Sequence, residues 1–168
     1  SHAVAAAFEA CGMRAVVMPE SDEETLVWGR KLTSGKECYP CILTTGDMIK
    51  VTRQPDFDPD RAAFFMASGR GPCRFGQYNR FHRMVLDEMG FQQIPILAPD
   101  QDEDLYKELG GIGNGLSKIA WKGMVSIDLL QKKLRQVRPY EKNEGESERI
   151  YHSYLDRVCR ALGRREET

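Results

Sequence analysis

Residues 61–90, RAAFFMASGRGPCRFGQYNRFHRMVLDEMG, are the stretch whose reading decides the fold. Arg61–Ala67 is apolar nearly throughout, the pattern of a strand covered on both faces of a parallel sheet. Ser68–Gly76 follows as a loop punctuated by three glycines and a proline. Gly76–Met89 then sets Tyr78, Phe81, Met84, Val85 and Met89 on one stripe at helical spacing, and Gly90 supplies a helix stop. Strand, glycine loop and helix in this order form the opening of a strand–helix–strand unit.

Two further runs read as strands, Arg14–Met18 (RAVVM) and Ile94–Ala98 (IPILA). Ile42–Gln54 reads as a helix that opens just after a CYPC turn and stops before Pro55. The alternation predicts an α/β fold, a Rossmann-like parallel sheet flanked by helices. The C-terminal third has a different pattern. Leu116–Gln136 is a long helical segment that stops ahead of Pro139, and Ser147–Leu162 is an amphipathic helix with Ile150, Tyr154, Leu155, Val158 and Leu162 inward. The Gly110–Gly115 run (GGIGNG) is expected to act as a hinge. The sequence thus predicts a Rossmann-like, cluster-binding domain over 1–115 and a helical C-terminal tail over 116–168 packing on it. Ser1 stands where an initiator Met would, and Ala3–Ala10 reads at once as a helix interior, so a piece of a longer polypeptide is expected.

The chain has 168 residues, with 24 basic against 25 acidic side chains. That balance leaves no electrostatic footprint for nucleic acid or an anionic membrane. No apolar run approaches the ~18–20 residues that span a bilayer, and no signal peptide is visible. A cytoplasmic protein with neither nucleic-acid nor membrane partners is the expectation. Five cysteines are an odd number for a disulfide framework, and in a reducing compartment they stay as thiols.

Three of these cysteines carry the chemistry. Cys38 and Cys41 stand in Gly35-Lys-Glu-Cys-Tyr-Pro-Cys, a tight turn before a helix. Cys73 stands in the Ser68–Gly76 loop, where an open α/β sheet would bind its ligand. Helix N-termini offer free N–H groups and partial positive charge, which favour thiolates and an anionic cluster. Lys36 and Arg74 flank the set and could offset its charge. A metal or cluster site at Cys38, Cys41 and Cys73 is therefore expected, with a 4Fe–4S iron–sulfur cluster ahead of zinc, since the second half of a zinc motif is missing. Other chemistries fit less well. A redox-active disulfide usually opens a helix directly after a strand; a phosphatase loop would need Arg at position 79, which is Asn; the glycines do not fit G-x-G-x-x-G. Cys11, Cys159 and His82 read as structural, and His152 as exposed.

Residues 29–50 (GRKLTSGKECYPCILTTGDMIK), 64–90 and 120–141 (AWKGMVSIDLLQKKLRQVRPYE) resemble the acyl-CoA dehydratase activase-related proteins. That group is related to the 2-hydroxyacyl-CoA dehydratases and the double-cubane cluster proteins. The resemblance implies a Rossmann-like domain whose cluster is held by three cysteines, here Cys38, Cys41 and Cys73. It implies a redox role, with low-potential electrons supplied by an ATP-dependent activase-type iron–sulfur reductase, a separate protein or part of the full-length chain. A homodimer would bring two such sites together, as in the double-cubane proteins. The alternatives are a dehydratase-type lyase component and a structural zinc-binding module. With three cysteines in the motif, the fourth iron is expected to be open or to carry an exogenous ligand.

Overall fold

The computed structural model describes residues 1–99 and 115–164. They fall into two compact units, one made of residues 1–17 with the C-terminal segment from 106 onward, the other of residues 18–105.

Three helices open the chain: α1 is His2–Ala10, α2 Glu23–Leu32 and α3 Tyr39–Thr52, the last two in the 18–105 unit. Helix α2 starts where Asp22 accepts from the Thr25 backbone N–H at 3.0 Å while Thr25 Oγ1 accepts from the Asp22 N–H at 3.2 Å. This reciprocal cap satisfies two donors that a helix start otherwise leaves open. Helices α2 and α3 then pack so closely that a Cβ on Gly46 would collide with the Thr25 carbonyl oxygen, and one on Gly29 with that of Ile42. Buried Asp47 fastens the pair, accepting from Ser21 Oγ and Thr25 Oγ1 at 2.7 Å each. Lys50 Nζ, also buried, reaches the Glu20 carbonyl at 3.0 Å and Asp22 at 3.1 Å.

Next come β1 (Phe64–Phe65), a short 3₁₀ turn (Arg74–Gln77), α4 (Tyr78–Glu88) and β2 (Ile96–Leu97). Strands β1 and β2 pair in parallel, Phe64 with Ile96 and Phe65 with Leu97. The core of this unit is Met48, Ile49, Val85, Leu86 and Ile94, with Trp28, Phe57, Phe64, Phe81 and Phe91 packed against it. Arg83 pins the end of α4 to the approach to β2, donating to the carbonyls of Phe91 and Ile94 and pairing with Asp87.

The expected Rossmann-like α/β sheet is not formed. The described residues are mostly helical, and their sheet has two strands of two residues each. Two physical reasons stand out. The apolar runs are covered on one side only, since Phe65 and Leu97 remain 39% and 38% exposed while Phe64 and Ile96 turn inward. Pro95 and Pro99 also flank β2 and remove the N–H donors that would lengthen the ladder. The Arg14–Met18 run is not a strand: it has no regular structure, Val16 is 74% exposed, and the boundary between the units falls inside it. On α4 the buried face is Tyr78, His82, Val85 and Leu86, while Met84 points outward.

The other unit comprises α1, α5 (Leu116–Val137) and α6 (Glu146–Gly163), with α1 packed on both of the longer helices. Ala3, Ala6, Ala7, Phe8, Leu116, Leu155 and Leu162 are its buried apolar side chains. Glu141 caps α6 from outside, accepting from the N–H groups of Gly145 and Ser147 at 3.0 Å each. Ile150 and Tyr154, expected inward, are about half exposed, and the packed edge of α6 runs through Leu155 and Leu162. The expected 1–115 and 116–168 partition thus gives way to one in which the first 17 residues belong with the C-terminal helices. Residues 110–114 of the expected hinge lie outside the described residues. Among the described residues no helix is long and apolar enough to cross a membrane.

Candidate cysteine site

Cys38, Cys41 and Cys73 all belong to the 18–105 unit, carried by two helix entries. Cys38 is the N-cap of α3, and Pro40 occupies its first turn, where a missing N–H costs nothing. The turn closes as the Cys41 N–H donates to the Cys38 carbonyl at 2.9 Å. Cys41 is thereby buried, whereas Cys38 is half-buried. Cys73 is exposed and caps the 3₁₀ turn that leads into α4.

The loop bearing Cys73 is closed by a backbone crossing. A Cβ on Gly76 would strike the Gly69 carbonyl oxygen, so only glycine lets the two ends of the loop meet. Buried Ser68 adds a hydrogen bond to the Gly76 carbonyl at 3.3 Å. Arg74 then links this loop to the other cysteine segment, donating from Nη1 to the Lys36 carbonyl at 2.9 Å.

Tyr78 lies at the meeting point. Its hydroxyl is 2.6 Å from Cys38 Sγ, and the charges of Cys38, Cys41 and Cys73 all act on it. Burial, then the Cys38 contact, pushes the Tyr78 phenol up, while the Tyr78 hydrogen bond is the main cause that holds the Cys38 thiol below its ordinary range. Either group can donate in this contact, and towards a thiolate at Cys38 the Tyr78 hydroxyl is the donor. Burial, reinforced by the neighbouring Cys38, pushes the Cys41 thiol up. The Thr45 hydroxyl and the Arg74 charge oppose that rise. The site thus pairs a thiol whose ionisation is favoured with a buried one whose ionisation is disfavoured.

His82, one turn beyond Tyr78, is buried, with Nε2 3.2 Å from Thr44 Oγ1. The Thr44 hydroxyl also lies 2.9 Å from the Pro40 carbonyl and 3.2 Å from that of Cys41, both of which accept from it. Among the described residues, no group of three His, Cys, Asp or Glu side chains is gathered tightly enough to hold a single metal ion. Cys38 and Cys41 share the entry of α3, and Cys73 comes from the loop before α4, with Tyr78 beside Cys38. Cys11, at the C-terminal end of α1, and Cys159, whose thiol is pushed up by burial on α6, lie in the other unit.

Sequence reasoning named the three cysteines and Arg74 but gave Tyr78 only a packing role and passed over Thr45. The available signal was spacing: Thr45 is four residues beyond Cys41 on the same helix face, and Tyr78 five beyond Cys73 at the start of α4. No family model, no curated protein and no solved structure matches this chain.

Proposed function

We propose that the chain is an iron–sulfur redox module in which Cys38, Cys41 and Cys73 hold a four-iron cluster. The observation that carries the reading is the meeting of the two cysteine-bearing segments, where the Tyr78 hydroxyl lies 2.6 Å from Cys38 Sγ and Arg74 of the Cys73 loop donates to the Lys36 carbonyl. When bound, such a cluster accepts and returns one electron at low potential. The chain's part is to supply thiolates. Cys38 is already favoured as one by its hydrogen bond, Cys41 is shielded from water, and Cys73 stands at the exposed side where ligand or partner can approach. The two motifs supply three cysteines, so the fourth iron takes an exogenous ligand.

The likeness of residues 29–50, 64–90 and 120–141 to activase-related proteins supports an electron source of the ATP-hydrolysing activase type. Reduction by such a partner is expected to require ATP.

The test is anaerobic purification or reconstitution of the full chain, with iron and acid-labile sulfide analysis and a visible spectrum. Iron and sulfide in comparable amounts with broad visible absorption are expected, lost on Cys38→Ala, Cys41→Ala or Cys73→Ala. Stoichiometric zinc without sulfide would overturn the reading in favour of a structural zinc module.

A further inference from the structure

We propose that the Tyr78 and Thr45 hydroxyls are hydrogen-bond donors to the ligand sulfurs of Cys38 and Cys41 and raise the reduction potential of the cluster those sulfurs hold. The proposal rests on the cluster reading above and assigns two positioning residues to it.

Tyr78 is 5% exposed, and its ring is fixed between Phe75 and His82, with centroids 5.5 and 6.1 Å away. That packing aims the hydroxyl at Cys38 Sγ, 2.6 Å distant. Thr45 is fully buried, and its Oγ1 is the one buried side-chain oxygen or nitrogen without a hydrogen-bond partner among the described residues. Other threonines of α2 and α3 behave differently. Thr33, Thr44 and Thr52 each donate to a carbonyl three or four residues back, at 2.9, 2.9 and 2.8 Å. This is the ordinary outlet for such a hydroxyl in or beside a helix. Thr45 makes no such bond, and it stands four residues beyond Cys41 on the same helix, one turn away, where its hydroxyl acts on the Cys41 thiol. A neutral thiol is a weak acceptor, whereas a metal-bound thiolate carries negative charge and accepts strongly. The orphaned hydroxyl gains its partner when Cys41 becomes a ligand.

Donors of this kind stabilise negative charge on sulfur, and the reduced cluster carries more of it than the oxidised one. Removing either donor must therefore make the cluster harder to reduce.

The experiment compares the reconstituted full chain with Tyr78→Phe, Thr45→Val and Thr45→Ser by redox titration of the visible or electron-paramagnetic signal. Tyr78→Phe and Thr45→Val are each expected to lower the one-electron equilibrium constant by about tenfold, or about 59 mV. Thr45→Ser, which keeps the hydroxyl, is expected to hold the wild-type potential. Loaded Phe and Val variants with unchanged potentials would overturn this proposal and leave the cluster reading standing. A wild-type chain that takes up no sulfide would overturn both. If Tyr78→Phe fails to load, the contrast at position 45 decides, since Val keeps the shape of threonine without its hydroxyl and Ser keeps the hydroxyl.

Discussion

At the scale of single residues, His82 shows how burial alone resets an ionisable group. Its pKa is pushed down to about 4 from 6.5 by desolvation. The unfolded chain binds a proton as pH falls past 6.5, while the folded protein does not do so until about 4. Stability from this group is therefore complete above pH 6.5 and is lost as pH falls from there towards 4. The slope should approach, at most, about 1.4 kcal/mol per pH unit. Urea unfolding at a series of pH values should show it, and His82→Gln should flatten it; an equal slope in the variant would exclude His82 as the source. Gly76 is the second sensitive residue. Gly76→Ala forces the Cys73 loop to open against the Gly69 carbonyl, and uptake of the proposed cluster is expected to fall although none of the three cysteines is changed.

At the scale of elements, the α2–α3 pair is held by buried polar groups as much as by apolar ones. Asp47 accepts from Ser21 and Thr25 at once, so Asp47→Ala takes the 2.7 Å acceptor from the buried Thr25 hydroxyl as well as from exposed Ser21. A loss of about 1–3 kcal/mol is expected. Asp47→Asn, which retains one carbonyl acceptor, should lose less, and chemical denaturation monitored at Trp28 would rank the two. Equal losses would mean that the carboxylate acts by charge on its surroundings and not by accepting these bonds. Because α3 also starts at Cys38, such loosening is expected to lower cluster affinity alongside stability.

At the scale of the whole molecule, the unit built from the two ends of the chain depends on a short segment far away in sequence. Ala3, Ala6, Ala7 and Phe8 fill the face that α5 and α6 present to α1. Phe8→Ala should cost about 3–5 kcal/mol in this unit. Deleting residues 1–17 should go further and abolish amide-exchange protection in α5 and α6 while leaving α2, α3 and α4 protected. Protection in α5 and α6 unaltered by the deletion would show that those helices hold together without α1.

Much of the local structure was legible in the sequence because its causes are local. The CYPC turn and the helices expected from Ile42, Gly76, Leu116 and Ser147 follow from turn chemistry and periodicity, while of the apolar runs at 61–67 and 94–98 only Phe64–Phe65 and Ile96–Leu97 pair as strands. The sequence by itself also singled out Cys38, Cys41 and Cys73, since thiols in glycine- and proline-bearing turns have few other uses. Only the tertiary structure decided what surrounds them. Whether an apolar run is covered on one face or two depends on distant segments, and so the expected sheet shrank to two short strands. That Tyr78 meets Cys38 across 40 residues, that Thr45 lacks its usual carbonyl, and that the first 17 residues pack with the last helices are likewise properties of packing. No periodicity encodes them, because each is settled by which surfaces exclude water together once the chain has folded.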